Sequence, residues 1–421
     1  MPLLPSRDSI LEPERNTPVT DKPAILVLAS TAPRWSGDHE PRFVLDLCSR
    51  LNDRFDVTLL SPHAPGALPD EVLDGVRIHR YRYGPESWEC LAYQGGMLAR
   101  LREHHWRVLL LPIFFLAQIS ATVRLMRRLR PQAIHAHWII PQGLVAIIAR
   151  RLAGVRTPIL CTSHGADLFS LRAAPFRWLK RAIIRSVDGI TVVSQTMADE
   201  VGRIAPGTTA AVIPMGTDLA ERFTPPTRGH LDSNEILFVG RLVEKKGVFH
   251  LLRAFAKLHE HRPSLQLTIA GFGPDESRLK REVATLGIAD AVTFLGAIIH
   301  TDLPPLYRRA AVTVVPSIVT PDGDQEGFGL VIVEAIGCGC PVIASSLPAI
   351  QGNAGNEGGI QLFPPGDEAA LAESIESVLD DPGGALAAAA LTRERLRKHF
   401  GWAHIAQAYA DLLARLSHGK Y

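Results

Sequence analysis

The sequence predicts an α/β protein made of two doubly wound domains, and three observations carry that expectation. Short apolar, β-branched runs alternate with amphipathic helical stretches along the whole chain, which is the sign of parallel βαβ units. The chain has 421 residues, more than one usual core, so two domains of about 200 residues each follow. A fresh strand begins at Ile236 after the polar stretch "ERFTPPTRGHLDSN" (221–234), which sets the domain boundary near 225.

Residues 1–22 carry prolines and charges but no apolar core of signal-peptide length, and they are expected to form a loose tail. The first domain, 23–225, has strands expected at "AILVLAS" (24–30), "DVTLLSP" (56–62), "AIHAHW" (133–138), "PILCTSH" (158–164), "GITVVS" (189–194) and "AAVIPMG" (210–216). Helices are expected between them, such as "RFVLDLCSRL" (42–51) and "LVAIIARRLAG" (144–154). The second domain, 226–395, has strands expected at "EILFVG" (235–240), "LQLTIAG" (265–271), "AVTFLG" (291–296), "VTVVPS" (312–317), "PVIAS" (341–345) and "GIQLF" (359–363). Residues 396–421 are expected to form a helix that packs back toward the first domain.

A formal net charge of +2, with no arginine cluster interleaved with aromatics, argues against a nucleic-acid partner. The five cysteines are odd in number and irregularly spaced, which fits reduced thiols in a cytoplasmic protein. Cys338 and Cys340 lack a second Cys or His pair and read as small packing residues rather than metal ligands. His135 and His137 sit in "AIHAHW", a buried strand ending at a pocket rim. The run "VLLLPIFFLAQISATV" (108–123) is broken by Pro112 and Gln118, with Arg100, Arg102 and Arg107 before it and Arg124, Arg127, Arg128 and Arg130 after it. Such a segment (100–130) either lies on an anionic membrane surface or forms core helices with solvated arginine ends.

In open α/β sheets ligands bind beyond the carboxyl ends of the strands, so the residues just after each strand are the site candidates. They include "GRLVEKKG" (240–247), "GFGPDES" (271–277), "SIVTPDGDQEGFG" (317–329) and "HGADL" (164–168). Neither a G-x-G-x-x-G opening a helix after the first strand nor a G-x-x-x-x-G-K-[ST] is present, which disfavours a dinucleotide oxidoreductase or a P-loop NTPase. In "EGFGLVIVEA" (326–335), Glu326 and Glu334 on one helix would stand roughly 12 Å and roughly 80° apart, a poor catalytic dyad. Gly327 and Gly329 each cost about 1 kcal/mol inside a helix, so the stretch reads as a glycine-rich loop entering a helix near Leu330. Free N–H groups there suit an anion, and the two carboxylates suit hydroxyls. Arg241 and Lys246 add a guanidinium fork and a mobile ammonium, enough to hold a diphosphate and stabilise it as a leaving group with no metal cofactor.

With "AGFGP" (270–274), "VTFLG" (292–296), "VVPS" (314–317), "EGFGLVIVEAIGCGCPVIAS" (326–345) and "LFPPGD" (362–367) in order, these residues resemble the retaining glycosyltransferases of family 4. "HGADL", "VVSQ" (192–195) and "VIPMGTDLAERF" (212–223) extend the likeness over nearly all of the chain after residue 23, with Met215 where relatives often have Asn. The resemblance implies the GT-B fold, two Rossmann-like domains facing across a cleft, with the acceptor on the first and a nucleotide sugar on the second. It implies that Arg241 and Lys246 bind the donor diphosphate, that Glu326 lies beside the donor sugar, and that Glu334 accepts hydrogen bonds from the ribose. It further implies that the backbone of Gly327, Phe328, Gly329 and Leu330 cradles hydroxyls and phosphate, with Gly240 and Gly271 in the same donor site, and that His164 faces the sugar with Asp167 as its neighbour. The first loop departs from the common adjacent-glycine pattern: it reads "TAPRWSGDHEPRFV" (31–44), where Gly37 lets backbone approach the phosphates. Arg34, Trp35, Asp38 and Glu40 are expected to face the cleft and touch the acceptor. The expected reaction is transfer of a hexosyl unit from a UDP- or GDP-sugar to an acceptor hydroxyl, with a lipid-linked glycan as the expected acceptor. The alternatives are a transferase making a small glycoside or glycolipid, and a non-catalytic nucleotide-sugar-binding protein.

Overall fold

The computed structural model describes residues 22–419 apart from 94–96, 98–99, 102–103, 228–232, 322, 327–328 and 355–358. The expected tail, except for its last residue, lies outside the described residues, as do Arg102, Gly327 and Phe328.

The first sheet has the order β3-β4-β2-β1-β5-β6-β7-β8. Its strands are β1 (Ala24–Leu28), β2 (Asp56–Pro62), β3 (Asp70–Leu73), β4 (Val76–Tyr81), β5 (Ala133–His137), β6 (Ile159–Ser163), β7 (Gly189–Val192) and β8 (Ala211–Val212). Every pairing is parallel except the β3–β4 hairpin. The strand expected over 210–216 shrinks to Ala211–Val212, because Pro214 has no N–H to give the ladder and the chain leaves for the second domain. The hairpin was not expected. It turns on Asp74 and Gly75, both at positive φ (49° and 78°), the conformation that a two-residue Asp-Gly turn adopts.

Alternate side chains of β1 serve two cores, as a period of two requires. Ile25 and Val27 pack beneath helix α1 (Phe43–Leu51), through Val44, Leu47 and Cys48. Leu26 and Leu28 pack beneath the opposite layer, which contains α2 (Leu111–Leu129), α3 (Leu144–Ala153), the short α4 (Ala166–Phe169), α5 (Ala174–Ile184) and α6 (Gln195–Ile204).

The second sheet is wholly parallel, with the order β11-β10-β9-β12-β13-β14. Its strands are β9 (Glu235–Val239), β10 (Gln266–Ala270), β11 (Val292–Gly296), β12 (Val312–Val315), β13 (Val342–Ser345) and β14 (Ile360–Phe363). Helices α7 (Val248–His261), α8 (Glu276–Thr285) and α12 (Glu368–Asp380) cover one face. On the other lie α9 (Leu303–Arg309), α10 (Leu330–Gly337) and α13 (Pro382–Phe400), with α11 (Pro348–Ala354) beyond β13. Phe223, Leu237, Ile332 and Ile336 belong to the same buried cluster as Leu26 and Ile134, so apolar packing runs continuously from one domain to the other.

The last helix, α14 (Trp402–Ser417), returns to the first domain and packs Ile405, Tyr409 and Leu413 beside α1. Its start is pinned to the interdomain crossing: Thr217 N donates to Phe400 O at 2.8 Å. A Cβ on Gly216 would lie 2.3 Å from the Trp402 ring, so only glycine lets the crossing chain pass so close.

Candidate active site

The side expected to hold the donor is built on the carboxyl ends of β9, β10 and β12. The turn after β9 carries Arg241, then Glu244–Lys246 as a single 3-10 turn, and ends at Gly247 with φ of 66°. A Cβ on Gly247 would fall 1.8 Å from Pro316 O, so the turn is seated directly on the end of β12. Gly271 is as tightly placed, its would-be Cβ 1.8 Å from Gly240 O. This crowding brings the two lysines under the loop that follows β12. Lys246 Nζ donates to Glu326 Oε2 at 2.5 Å, and Lys245 Nζ to Asp324 Oδ1 at 3.0 Å. Arg241 is open to solvent at its surface yet ringed by protein in the cleft: desolvation lowers its pKa, opposed by the Glu40 and Asp324 charges. It remains a cation regardless.

The chain then passes through Gly329, at φ of 81°, and α10 begins at Leu330, as the glycine-rich reading requires. Glu326 and Glu334 take different partners on different elements and do not form a dyad. Glu334 is 5% exposed; its Oε1 faces His300 Nε2 at 2.9 Å, and its Oε2 accepts from the Tyr307 hydroxyl at 2.9 Å. Burial and the adjacent carboxylate push the Tyr307 pKa well up, so the phenol stays a donor. A groove of about 500 Å³ opens here, between α1, the crossing chain and α10, lined by Phe43, Arg50, Asp218, His300, Leu330 and Glu334.

The facing lip is the loop after β1. Arg34 bonds both oxygens of Asp38, at 2.6 and 2.9 Å, and lies over the Trp35 ring at 4.4 Å. Burial alone would raise the Asp38 carboxyl, but the Arg34 hydrogen bonds and charge outweigh it and hold it below its ordinary value. Arg80, on the hairpin, is 1% exposed and donates to Pro33 O at 2.7 Å, anchoring the lip from beneath. Gly37 has φ of 78° and open space where a Cβ would stand. His39 meets Phe272 of the second domain edge to face at 5.4 Å, and Glu40 is buried. Trp35 is the open member of the group, at 41% exposure.

His164 directly follows β6 and is fixed from three sides. Asp167 bonds Ile139 N at 2.6 Å, the Ser163 hydroxyl at 2.8 Å and His164 N at 3.3 Å. His137 Nδ1 lies 2.9 Å from His164 Nε2 with the two rings stacked, and Phe43 and Trp138 close around it at 4.8 and 5.1 Å. Burial pushes the His164 pKa down to about 3. Asp38 and Asp167, 2% and 8% exposed, spend their carboxylates within the first domain. They therefore hold the lip and the His164 turn in shape, and Asp167 lies beside His164 as expected. The domains also meet where Arg172 donates to Gly323 O at 3.1 Å.

Two family models together cover residues 41–400. One, described as Glycosyl transferases group 1, matches 222–400, and the other, Glycosyltransferase Family 4, matches 41–221. Glycogen synthase of Mycobacterium tuberculosis is 29% identical over 384 residues, 87% of this chain and 88% of the relative. A GDP-mannose-dependent alpha-(1-6)-phosphatidylinositol monomannoside mannosyltransferase of Mycolicibacterium smegmatis is 29% identical over 284 residues, 64% of this chain and 73% of the relative. Among solved structures, sucrose-phosphate synthase from Thermosynechococcus elongatus superposes with a TM-score of 0.76 at 25% identity, over 94% of this chain and 100% of that one.

Proposed function

The chain belongs to the glycosyltransferases of family 4, group 1, and from that membership we propose that it moves a hexosyl unit from a UDP- or GDP-sugar to the hydroxyl of a lipid-linked glycan, with retained anomeric configuration. The observation that carries the reading is the convergence of Arg241, Lys246 and Glu326 at one turn, with Glu334 one helical segment further on. Arg241 and Lys246 neutralise the diphosphate as its bond to the anomeric carbon breaks, and Lys246 leaves Glu326 for phosphate while Glu326 turns to the sugar hydroxyls. The acceptor oxygen bonds to the anomeric carbon on the face that the phosphate leaves, and its proton passes to the departing phosphate oxygen. No carboxylate nucleophile and no divalent metal is used. A thermal-shift screen of UDP-, GDP-, ADP- and dTDP-sugars, with magnesium and with chelator, tests this. One nucleotide series is expected to stabilise the protein equally in both; a response only with magnesium would refute the metal-free site.

The lipid-linked acceptor is supported by the segment before and within α2. Trp106, Val108, Leu109, Ile113 and Leu116 are 43–76% exposed, while Phe114, Gln118, Ala121 and Leu125 face the core. By length and composition alone, His105–Leu129 reaches what a membrane span needs. Its inner face belongs to the sheet layer, and Arg124, Arg127 and Arg128 are exposed on its last turns. An apolar face followed by arginines suits the surface of an anionic bilayer at the cytoplasmic side. In flotation assays the protein is expected to rise with anionic vesicles at low salt, and Leu109→Glu with Leu116→Glu to stay below; equal flotation of the two would remove this surface.

A further inference from the structure

Three imidazoles line up behind the cleft, two of them fully buried, and only the outermost, His164, is expected beside the donor sugar. From His164 the column continues to His137, 1% exposed, and to His135, 0% exposed, whose ring lies 4.1 Å from that of His137. His135 Nε2 is satisfied by the Thr162 hydroxyl at 2.7 Å. Between His137 Nδ1 and His164 Nε2 there is one hydrogen bond and therefore one proton. The outer nitrogens of that pair, His137 Nε2 and His164 Nδ1, are buried atoms with no hydrogen-bond partner among the described residues.

One of those two outer nitrogens must carry a proton, because each neutral ring has one N–H and only one proton fills the shared bond. If His164 donated, the orphaned N–H would be His137 Nε2, sealed where no ligand reaches. If His137 donates, the orphan is His164 Nδ1, which is covered in the ligand-free protein but belongs to a half-buried residue packed against Phe43, a lining residue of the groove, where a small shift of the ring opens it. Buried N–H groups without an acceptor are rare in folded proteins, so the second arrangement, in which substrate can supply the acceptor, is favoured. We propose that His137 is a positioning residue: it donates to His164 Nε2 and so holds His164 as an Nδ1–H donor to an oxygen of the donor sugar. The proposal rests on the reading of His164 as a neighbour of that sugar.

The test is the protonation pattern of His164 itself. In protein labelled with ¹⁵N-histidine near neutral pH, two-bond ¹H–¹⁵N spectra distinguish the two tautomers, and the His164 signal is the one lost in His164→Gln. His164 is expected to be protonated at Nδ1 and bare at Nε2; the reverse would overturn the proposal. His137→Phe keeps an aromatic ring but no bond, and should lower kcat/KM for transfer about tenfold, whereas His137→Asn, whose side-chain amide replaces Nδ1, should remain within about twofold of wild type. Equal losses in Phe and Asn would reduce His137 to a packing role. Unchanged transfer in His164→Gln would overturn the sugar contact, and the proposal with it, while leaving donor binding at Arg241 and Lys246 intact.

Discussion

Replacing Arg241 and Lys246 together by alanine is expected to lower the transfer rate about a thousandfold or more while the protein remains folded. Removing one preorganised contact to developing charge costs about 3–4 kcal/mol, and each 1.36 kcal/mol is a factor of ten, so two such contacts on one leaving group make the effect very large. The fold should tolerate the change. Arg241 is open to solvent, and Lys246 is tied to Glu326 alone among the described side chains. The measurement is kcat/KM for transfer beside a melting curve. Lys245→Ala is the control, since Lys245 sits next in the chain but is engaged by Asp324. Full activity in the double variant would remove the diphosphate assignment, and equal losses in Lys245→Ala would reduce it to a general effect of positive charge.

The meeting of the β9 turn with the glycine-rich loop was legible because its residues sit close to strand and helix ends. "GRLVEKKG" and "EGFGLVIVEA" place cations, carboxylates and glycines within a few residues of strand or helix ends, where the doubly wound fold must expose them. The partners of Glu334 were not legible. His300 and Tyr307 lie 34 and 27 positions away, and only the packing of α9 and the turn before it against α10 brings them to the carboxylate. The β3–β4 hairpin did carry a signal, an Asp-Gly pair between two short runs, but "DEVL" is too polar to read as a strand. That omission reached the site, because the hairpin supplies Arg80 beneath the lip. The hydrogen bonds of Asp38 and Asp167 were not legible for another reason: an acidic residue in a cleft-forming loop looks the same in sequence whether it faces ligand or caps backbone N–H groups. Only burial and hydrogen bonds separate the two.

Mild acid is expected to destabilise the first domain between neutrality and about pH 5, by about 2 kcal/mol through His135 and further through its column neighbours His137 and His164. His135 and His137 are fully buried within the column. Burial, with the neighbouring His164, lowers the His135 pKa to about 3, and burial with both neighbouring imidazoles takes that of His137 well below its ordinary value. The sign follows from which state binds protons first. An unfolded histidine protonates near pH 6.5, whereas these folded imidazoles do not, so as pH falls below about 6.5 the unfolded chain gains protons that the folded one lacks. The stability is present above that pH and declines steadily until the folded groups titrate. His135 then loses about 2 kcal/mol by pH 5, and His137 and His164 lower stability in the same direction, together a large part of what a domain has. Asp167 opposes this weakly, because burial raises its carboxyl and the folded state takes that proton early. Denaturant unfolding at several pH values measures the slope. His135→Gln retains a side-chain nitrogen for Thr162 but has no titrating ring, so it should lose about 2 kcal/mol less than wild type over the same interval. Parallel slopes in the two proteins would show that the buried imidazoles do not set the acid limit.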